Sequence, residues 1–527
     1  KCLPQTTHQR IEHIHESLLF YDEHTFGASE SVSDPLCENS QVQWGEKSAY
    51  AWEAVKRTQM LYETSVGLLQ GDLRRGKNPT LTIFNTLNWK RSEMLTVYID
   101  FEVIPRNQFF EITDFQGHSL KVQPIRYRRE GCYYAIFAED IPPMGYKTFE
   151  IVFKQPSTDT GTITINNASI ENHFYKLQLN PDKGTIQSLY DKELNCELVD
   201  SSSPWELGAF IYEKLGNRDQ LAQYRLDDYN RTGLSECRII DSSNGPIYQR
   251  ILLQGKSPGT DEAFGVNLEI KLYHDTKRIE LEYAIKRLPE TDPSGIYVAF
   301  PFQLPEGKLA FDVQGGTVIS GKNQLEGTST DWNTVQNFVS VQNNQAQIII
   351  GSSLIPLYQL GDINLGKFQY QKQYERPHVY SWVMNNYWNT NFKASQEGEF
   401  RWSYHLTSSV DPSSNLATKF GWSSRIPLYA RVMPTGTENH KPTEYSAFHF
   451  EKDNFLMTSC TPSKEEGYIL LNIREIDGKR TNLRILNEDG QTIPFTIVNA
   501  IEEKLENETS EHIFEGYQNK FIKIKRF

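Results

Sequence analysis

The stretch "GDLRRGKNP" at residues 71–79 separates two kinds of sequence, and no single secondary structure can accommodate both. Before it, apolar residues recur every three to four positions. Residues 6–19, "TTHQRIEHIHESLL", set Ile11, Ile14, Leu18 and Leu19 at helical spacing behind a Thr6/Thr7 N-cap. Residues 44–70 continue the pattern in a longer helix, with Trp52, Val55, Tyr62, Val66 and Leu69 on one stripe. Neither stripe can be buried by its own helix, so the helices must pack together or against another body. After the break come short β-branched and aromatic runs divided by turns, beginning with "TLTIFNTLNW", "EMLTVYIDF", "CYYAIFAE" and "YKTFEIVF".

The strand pattern then persists to the end of the chain. From residue 163 to about 425, runs such as "HFYKLQLN", "NLEIKLYHD", "RIELEYAIK" and "GIYVAFPFQL" alternate with turn clusters such as "NPDKG" and "DSSNG". So many antiparallel strands call for a large two-sheet sandwich. The expected organisation is mainly β: a helical segment over 1–75, a small β domain over 76–155, a large antiparallel sandwich over 160–425 and a C-terminal β domain over 426–527. With 527 residues the chain is too long for one domain.

Charge narrows the function classes. The 67 acidic residues outnumber the 54 Lys and Arg, giving −13, whereas nucleic-acid binding needs a basic surface. No apolar run approaches the ~20 residues of a membrane helix. The six cysteines are scattered without a CxxC pair, which argues against a zinc cluster or a disulfide framework. Aromatic residues make up 12% of the chain; they suit cross-strand pairs and also the C–H faces of sugar rings. The opening "KCLPQTTHQR", without Met, is what a piece of a longer protein would show.

Two stretches carry chemistry. Residues 21–31, "YDEHTFGASES", hold Asp22, Glu23 and His24 before a turn of small residues. A neutral imidazole beside a carboxylate suits a divalent metal, although so few donors do not complete a site. His8, His13 and His15 read as solvated helix residues. The second stretch is "VYSWVMNNYWNTNFKASQEGEFRWSY" at 379–404. Asn386, Asn389 and Asn391 offer donors and acceptors to sugar hydroxyls, and Tyr387 or Trp388 offers a ring face. An Asn-rich turn that satisfies itself around an aromatic plug is the competing reading.

Several of these stretches resemble the C-terminal portion of the α-mannosidases of glycoside hydrolase family 38. "PTLTIFNTLNWKRSEMLTVYI" (79–99) resembles the opening β segment of that portion, and "IPPMGYKTFEI" (141–151) its closing phrase. "IENHFYKLQLNPDKGTIQSLYDKELNCELVD" (170–200) is similar to the start of the family's large, mutarotase-like supersandwich. "VMNNYWNTNFKASQEGEFRWSY" is similar to its Asn-Trp-Thr-Asn motif.

The resemblance implies an N-terminal catalytic barrel, not recognisable in this chain, that carries the nucleophile, the general acid and most ligands of a shared zinc ion. No catalytic residue is then expected here. The last zinc ligand of the family lies in the loop that "YDEHTFGAS" is similar to. Counting back from Gly27 sets Asp22 at that ligand and Glu23 at a sugar-contacting position, whereas a two-residue shift makes His24 the ligand. Both alternatives stay open. The implied function is hydrolysis of α-mannosidic bonds in mannose-containing oligosaccharides by a retaining mechanism. The alternatives are a non-catalytic carbohydrate-binding or scaffolding protein, and a sugar-active enzyme using the large sandwich alone.

Overall fold

The computed structural model describes residues 6–23, 29–155, 168–388 and 393–526. Two helices, α1 (Thr7–Asp22) and α2 (Glu38–Leu69), pack antiparallel at the front of the chain. Thr6 takes helical angles (φ −72°, ψ −6°) and makes no side-chain cap, so the expected hydroxyl cap is not used. α2 starts earlier than the spacing of its stripe suggested. Cys37 supplies an extended N-cap, and the Glu30 carboxylate accepts from Asn39 Nδ2 at 2.9 Å, tying the first turn to the preceding loop.

Lys47 on α2 holds the other end of α1. Its ammonium donates to the carbonyls of Phe20 and Glu23, both at 2.8 Å, and meets Glu23 Oε2 at 3.2 Å. A buried cation therefore satisfies carbonyls left open at a helix C-terminus, where the helix dipole favours positive charge. Phe20 stacks on Tyr50 with centroids 5.4 Å apart. The far half of α2 is pinned by Glu63, which accepts from Tyr429 Oη at 3.0 Å and pairs with Arg431 at 3.1 Å. Of the expected stripe only Val66 is buried, against Leu73 and Phe84. Trp52 is 71% exposed and Val55 53%, so the outer flank of the helical pair is bare.

Two sheets follow, with Leu81, Ile83, Ile99, Ile136 and Phe149 in the core between them. One is built from Arg91–Asp100, Lys121–Tyr127 and Gly131–Ile141. The other joins Thr80–Asn85, Phe109–Thr113 and Gly145–Lys154 to two strands from late in the chain, Tyr429–Met433 and Glu444–Ser446. The segment 426–527, expected as one domain, is thus divided. Its first strands complete the early sheet, and residues 448–525 form a separate core around Phe455, Ile473 and Ile522.

The large sandwich packs a nine-stranded antiparallel sheet against a six-stranded one. Alternation along Val266–Tyr273 explains the first: Val266, Leu268, Ile270 and Leu272 point into the shared core, while Asn267, Glu269 and Lys271 are half-buried on the other face. The six-stranded sheet runs Tyr229–Thr232, Phe210–Leu215, Ser294–Phe300, Val379–Asn385, Leu357–Leu360, Asn333–Thr334. Ser294–Phe300 is buried along its whole length. Its Ile296, Val298 and Phe300 enter the shared core, and Tyr297 and Ala299 enter a second cluster under the loops on the outer face. Among the described residues no helix is long and apolar enough to cross a membrane.

The bare helical flank predicts uneven stability. Amide exchange is expected to be fast over α1 and α2 and slow in Ser294–Phe300 and Val266–Tyr273. Lys47→Ala leaves the Phe20 and Glu23 carbonyls without this donor. It should lower the protection of α1 by roughly 1–3 kcal/mol, with the sandwich strands unchanged. Uniform protection across helices and sandwich would contradict both expectations.

Candidate functional site

The segment from Asp22 to Ser31 leaves α1 at its C-terminal end. Asp22 is exposed in the last turn, and Glu23, the C-cap, turns the chain into extended backbone. The Glu23 carboxylate remains half open to solvent while Lys47 holds one of its oxygens. His24 and Gly27 lie outside the described residues. Among the described residues no three His, Cys, Asp or Glu side chains gather as a metal site.

The turn residues 386–388 and 393–397, which the structure describes, come after the strand Val379–Asn385 and are held from three sides. Asn386 Oδ1 accepts from the Ser294 amide at 2.8 Å, while its Nδ2 donates to the carbonyls of Glu290 and Ala394, both at 3.0 Å. That amide closes the base of the turn. Arg218 donates to the Tyr387 carbonyl at 3.1 Å, the Asn386 carbonyl at 3.2 Å and the Thr291 carbonyl at 2.8 Å. The Tyr387 ring is wholly buried, and its hydroxyl donates to Glu213 Oε1 at 2.5 Å. Burial and the adjacent Tyr297 and Glu213 push the Tyr387 phenol well above its ordinary pKa, so it remains a donor.

These contacts correct two sequence expectations. Asn386 and Tyr387, read as sugar contacts, have their polar groups engaged inside the protein and shape the turn instead. Asn389 and Asn391 lie outside the described residues. Trp388 keeps an open face: it is 40% exposed, and its ring centroid lies 5.6 Å from that of Trp332 and 6.1 Å from that of Trp382.

The two stretches meet on α2. Trp44 and Lys47, three residues apart, share a helix face. Lys47 holds Glu23, and the Lys393 ammonium lies 5.2 Å from the Trp44 ring centroid. Beside this junction a polar cleft of about 270 Å3 is lined by Arg287, Glu290, Ser294, Asn386, Lys393 and Gln396. On the side of Trp388 lies a larger cavity of about 930 Å3, whose wall also includes Tyr224, Asp331, Trp332 and Phe368. Sequence reasoning missed these four, because they come from separate loops and no local motif joins them.

The Glu213 carboxylate also pairs with Arg231 Nε at 2.5 Å and is completely buried. Tyr387→Phe removes one donor and should cost roughly 1–3 kcal/mol. Glu213→Gln strips the largely covered Arg231 guanidinium of its charge partner and should cost more, roughly 3–5 kcal/mol. Urea denaturation measures both, and Trp388 emission should shift in each. Unchanged midpoints and emission would show that this bond does not hold the turn.

Residues 170–368 match the family model described as the glycosyl hydrolases family 38 C-terminal domain. In fold, the chain is similar to an alpha-mannosidase from Enterococcus faecalis V583, with 12% identity and a TM-score of 0.74. It is also similar to a protein of glycosyl hydrolase family 38 from Enterococcus faecalis, with 13% identity and a TM-score of 0.70. Both matches cover 98% of this chain, which spans 64% and 66% of those chains' lengths. No curated protein matches by sequence. The match to the family 38 C-terminal domain thus covers residues 170–368, and the similarity of fold to those two structures runs along nearly the whole chain.

Proposed function

We propose that this chain is the non-barrel region of a retaining, zinc-dependent α-mannosidase that acts on mannose-containing oligosaccharides. The observation that carries the reading is the family 38 match over residues 170–368. The bare flank of α1 and α2, where Leu19 and Trp52 are each 71% exposed, supports a further body packed there. An N-terminal catalytic barrel of the same protein is that body on this reading. Retaining hydrolysis needs two carboxyl groups ~5–5.5 Å apart across the scissile bond, and the barrel supplies them.

The contribution of this chain is to shape the sugar side. Asp22 or His24 would give one donor to a zinc ion shared with the barrel, a Lewis acid that would supply affinity for sugar hydroxyls. Glu23, oriented by Lys47, accepts a hydrogen bond from a sugar hydroxyl. The junction of Trp44 with Lys393 keeps the 386–397 turn beside that segment.

Assayed alone with an aryl α-mannoside and zinc, the chain should give no turnover. Zinc-dependent turnover that survives purification would overturn the division of labour and favour a site within the large sandwich. In the full-length enzyme, Asp22→Ala and His24→Ala should diverge. The true ligand's variant loses zinc and most of kcat while its melting transition stays in place. Glu23→Ala should keep the metal and raise KM. If all three retain wild-type zinc content and turnover, the segment is structural only.

A further inference from the structure

The polar cleft of about 270 Å3 beside residues 393–397 has a cation in its wall that the protein does not neutralise. Arg287 ends the strand Ile279–Arg287 and is 9% exposed. Its Nη1 donates to the Gly259 carbonyl at 3.2 Å and its Nη2 to Ser294 Oγ at 2.9 Å. The guanidinium carbon lies 5.4 Å from the centroid of the Tyr212 ring. Gly259, at φ +71°, makes room for the group: a Cβ there would stand 2.2 Å from Nη1. These contacts brace the guanidinium, but none of them carries a negative charge. Among the described residues no carboxylate pairs with Arg287, whereas the covered Arg91 and Arg231 meet Glu93 and Glu213.

The group is also reachable. Arg287 Nε makes no hydrogen bond within the protein, and it is not one of the polar atoms sealed from solvent. Lys393 lines the same cleft, with its ammonium 3.6 Å from Glu397 Oε1 and 5.2 Å from the Trp44 ring centroid. A cation withdrawn from water without a counter-charge is costly, and a ligand that brings the charge offsets that cost. We propose that this cleft is a subsite for an anionic group, a carboxylate or a phosphate, held by Arg287 with Lys393 as the second cation.

Three observations select this chemistry. Ser294 Oγ and the Asn386 amide are bonded within the protein, so of the covered donors in the wall it is the guanidinium that stays open. Its planar fork matches carboxylate and phosphate oxygens better than single hydroxyls. The one carboxylate among the lining residues, Glu290, is already held. Its Oε2 lies 3.4 Å from the Lys214 ammonium and accepts from Tyr212 Oη at 3.5 Å, while Oε1 accepts from the Asp292 amide at 2.9 Å. The size fits as well. At about 270 Å3 the cleft lies just under the ~300 Å3 at which pockets for drug-sized ligands begin, which suits a charged group on one sugar ring rather than a chain of rings.

The anion is argued from the cleft alone; that a sugar carries it rests on the function proposed above. Calorimetric titration of the chain with mannose 6-phosphate, glucuronate and inorganic phosphate, at one ionic strength set with NaCl, tests both. Mannose 6-phosphate or glucuronate should bind saturably, and neutral mannose at least tenfold more weakly. The tighter of the two anions tells phosphate from carboxylate. Arg287→Gln should weaken binding at least tenfold. Should that variant fail to fold, Gln396→Glu carries the test: it sets a carboxylate on an exposed side chain of the same wall, and should weaken binding at least tenfold at an unchanged melting temperature. Inorganic phosphate bound alone, and lost in the variants, supports the anion subsite and counts against a sugar ligand. Absence of binding by all three anions overturns the subsite and leaves the mannosidase reading to its own assay. Binding unchanged in a folded Arg287→Gln chain or in Gln396→Glu, or mannose bound as tightly as the anions, also overturns it.

Discussion

The carboxylate of Glu213 lies fully buried within the six-stranded sheet and joins three pieces of chain that would otherwise be independent. It pairs with Arg231 on the neighbouring strand, accepts from Tyr387 beyond the end of another, and lies 3.4 Å from the Tyr297 hydroxyl. A charge in such surroundings is tolerable only if it is paired and hydrogen-bonded, and here it has both kinds of partner. Because Tyr387 is fixed, Trp388 is fixed, and with it one wall of the aromatic cavity. The Tyr297 ring stacks on Trp382 at an interplanar angle of 3°, so the buried charge sits within an aromatic layer from which water is excluded.

The same sheet explains how one surface can be both stable and available. Its inner face belongs to the sandwich core, while its outer face is roofed by loops that place Leu221, Ile363 and Leu365 over Ile211 and Tyr297. The strand Ser294–Phe300 is therefore apolar on both sides, which an antiparallel strand in a half-solvated sheet would not be. The roof is thick enough to hold rings in place and open enough to leave a cavity.

Much of this fold was legible in the sequence. "NLEIKLY" alternates because one side of Val266–Tyr273 is core, and "RIELEYAIK" does so for the same reason in the adjacent strand. The helices were legible too, but not what covers them: periodicity reports that a stripe exists, and Trp52 and Val55 show that it can still be bare in this chain. The site was less readable. "NNYW" signals an unusual turn, yet whether Tyr387 meets a ligand or a carboxylate depends on Glu213, 174 residues away. Asn386 was misread because its partners, Ser294 and Ala394, approach from separate directions. The partition of 426–527 was hidden because a strand's own sequence does not name the sheet it joins.

That partition also bears on how the protein is made. Thr80–Asn85 lies between Gly145–Lys154 on one side and Tyr429–Met433 on the other. During synthesis its second edge stays open until the whole large sandwich and the helix Ser414–Arg425 have emerged. The strand "TLTIFN", with Leu81, Ile83 and Phe84 among its residues, is fully buried in the finished protein, so the nascent chain carries an unpaired, sticky edge for most of its elongation. The last strands thus act as a latch: the first β unit is sealed only when nearly all of the chain is present, and a chain stopped short of residue 429 is exposed to edge-to-edge association.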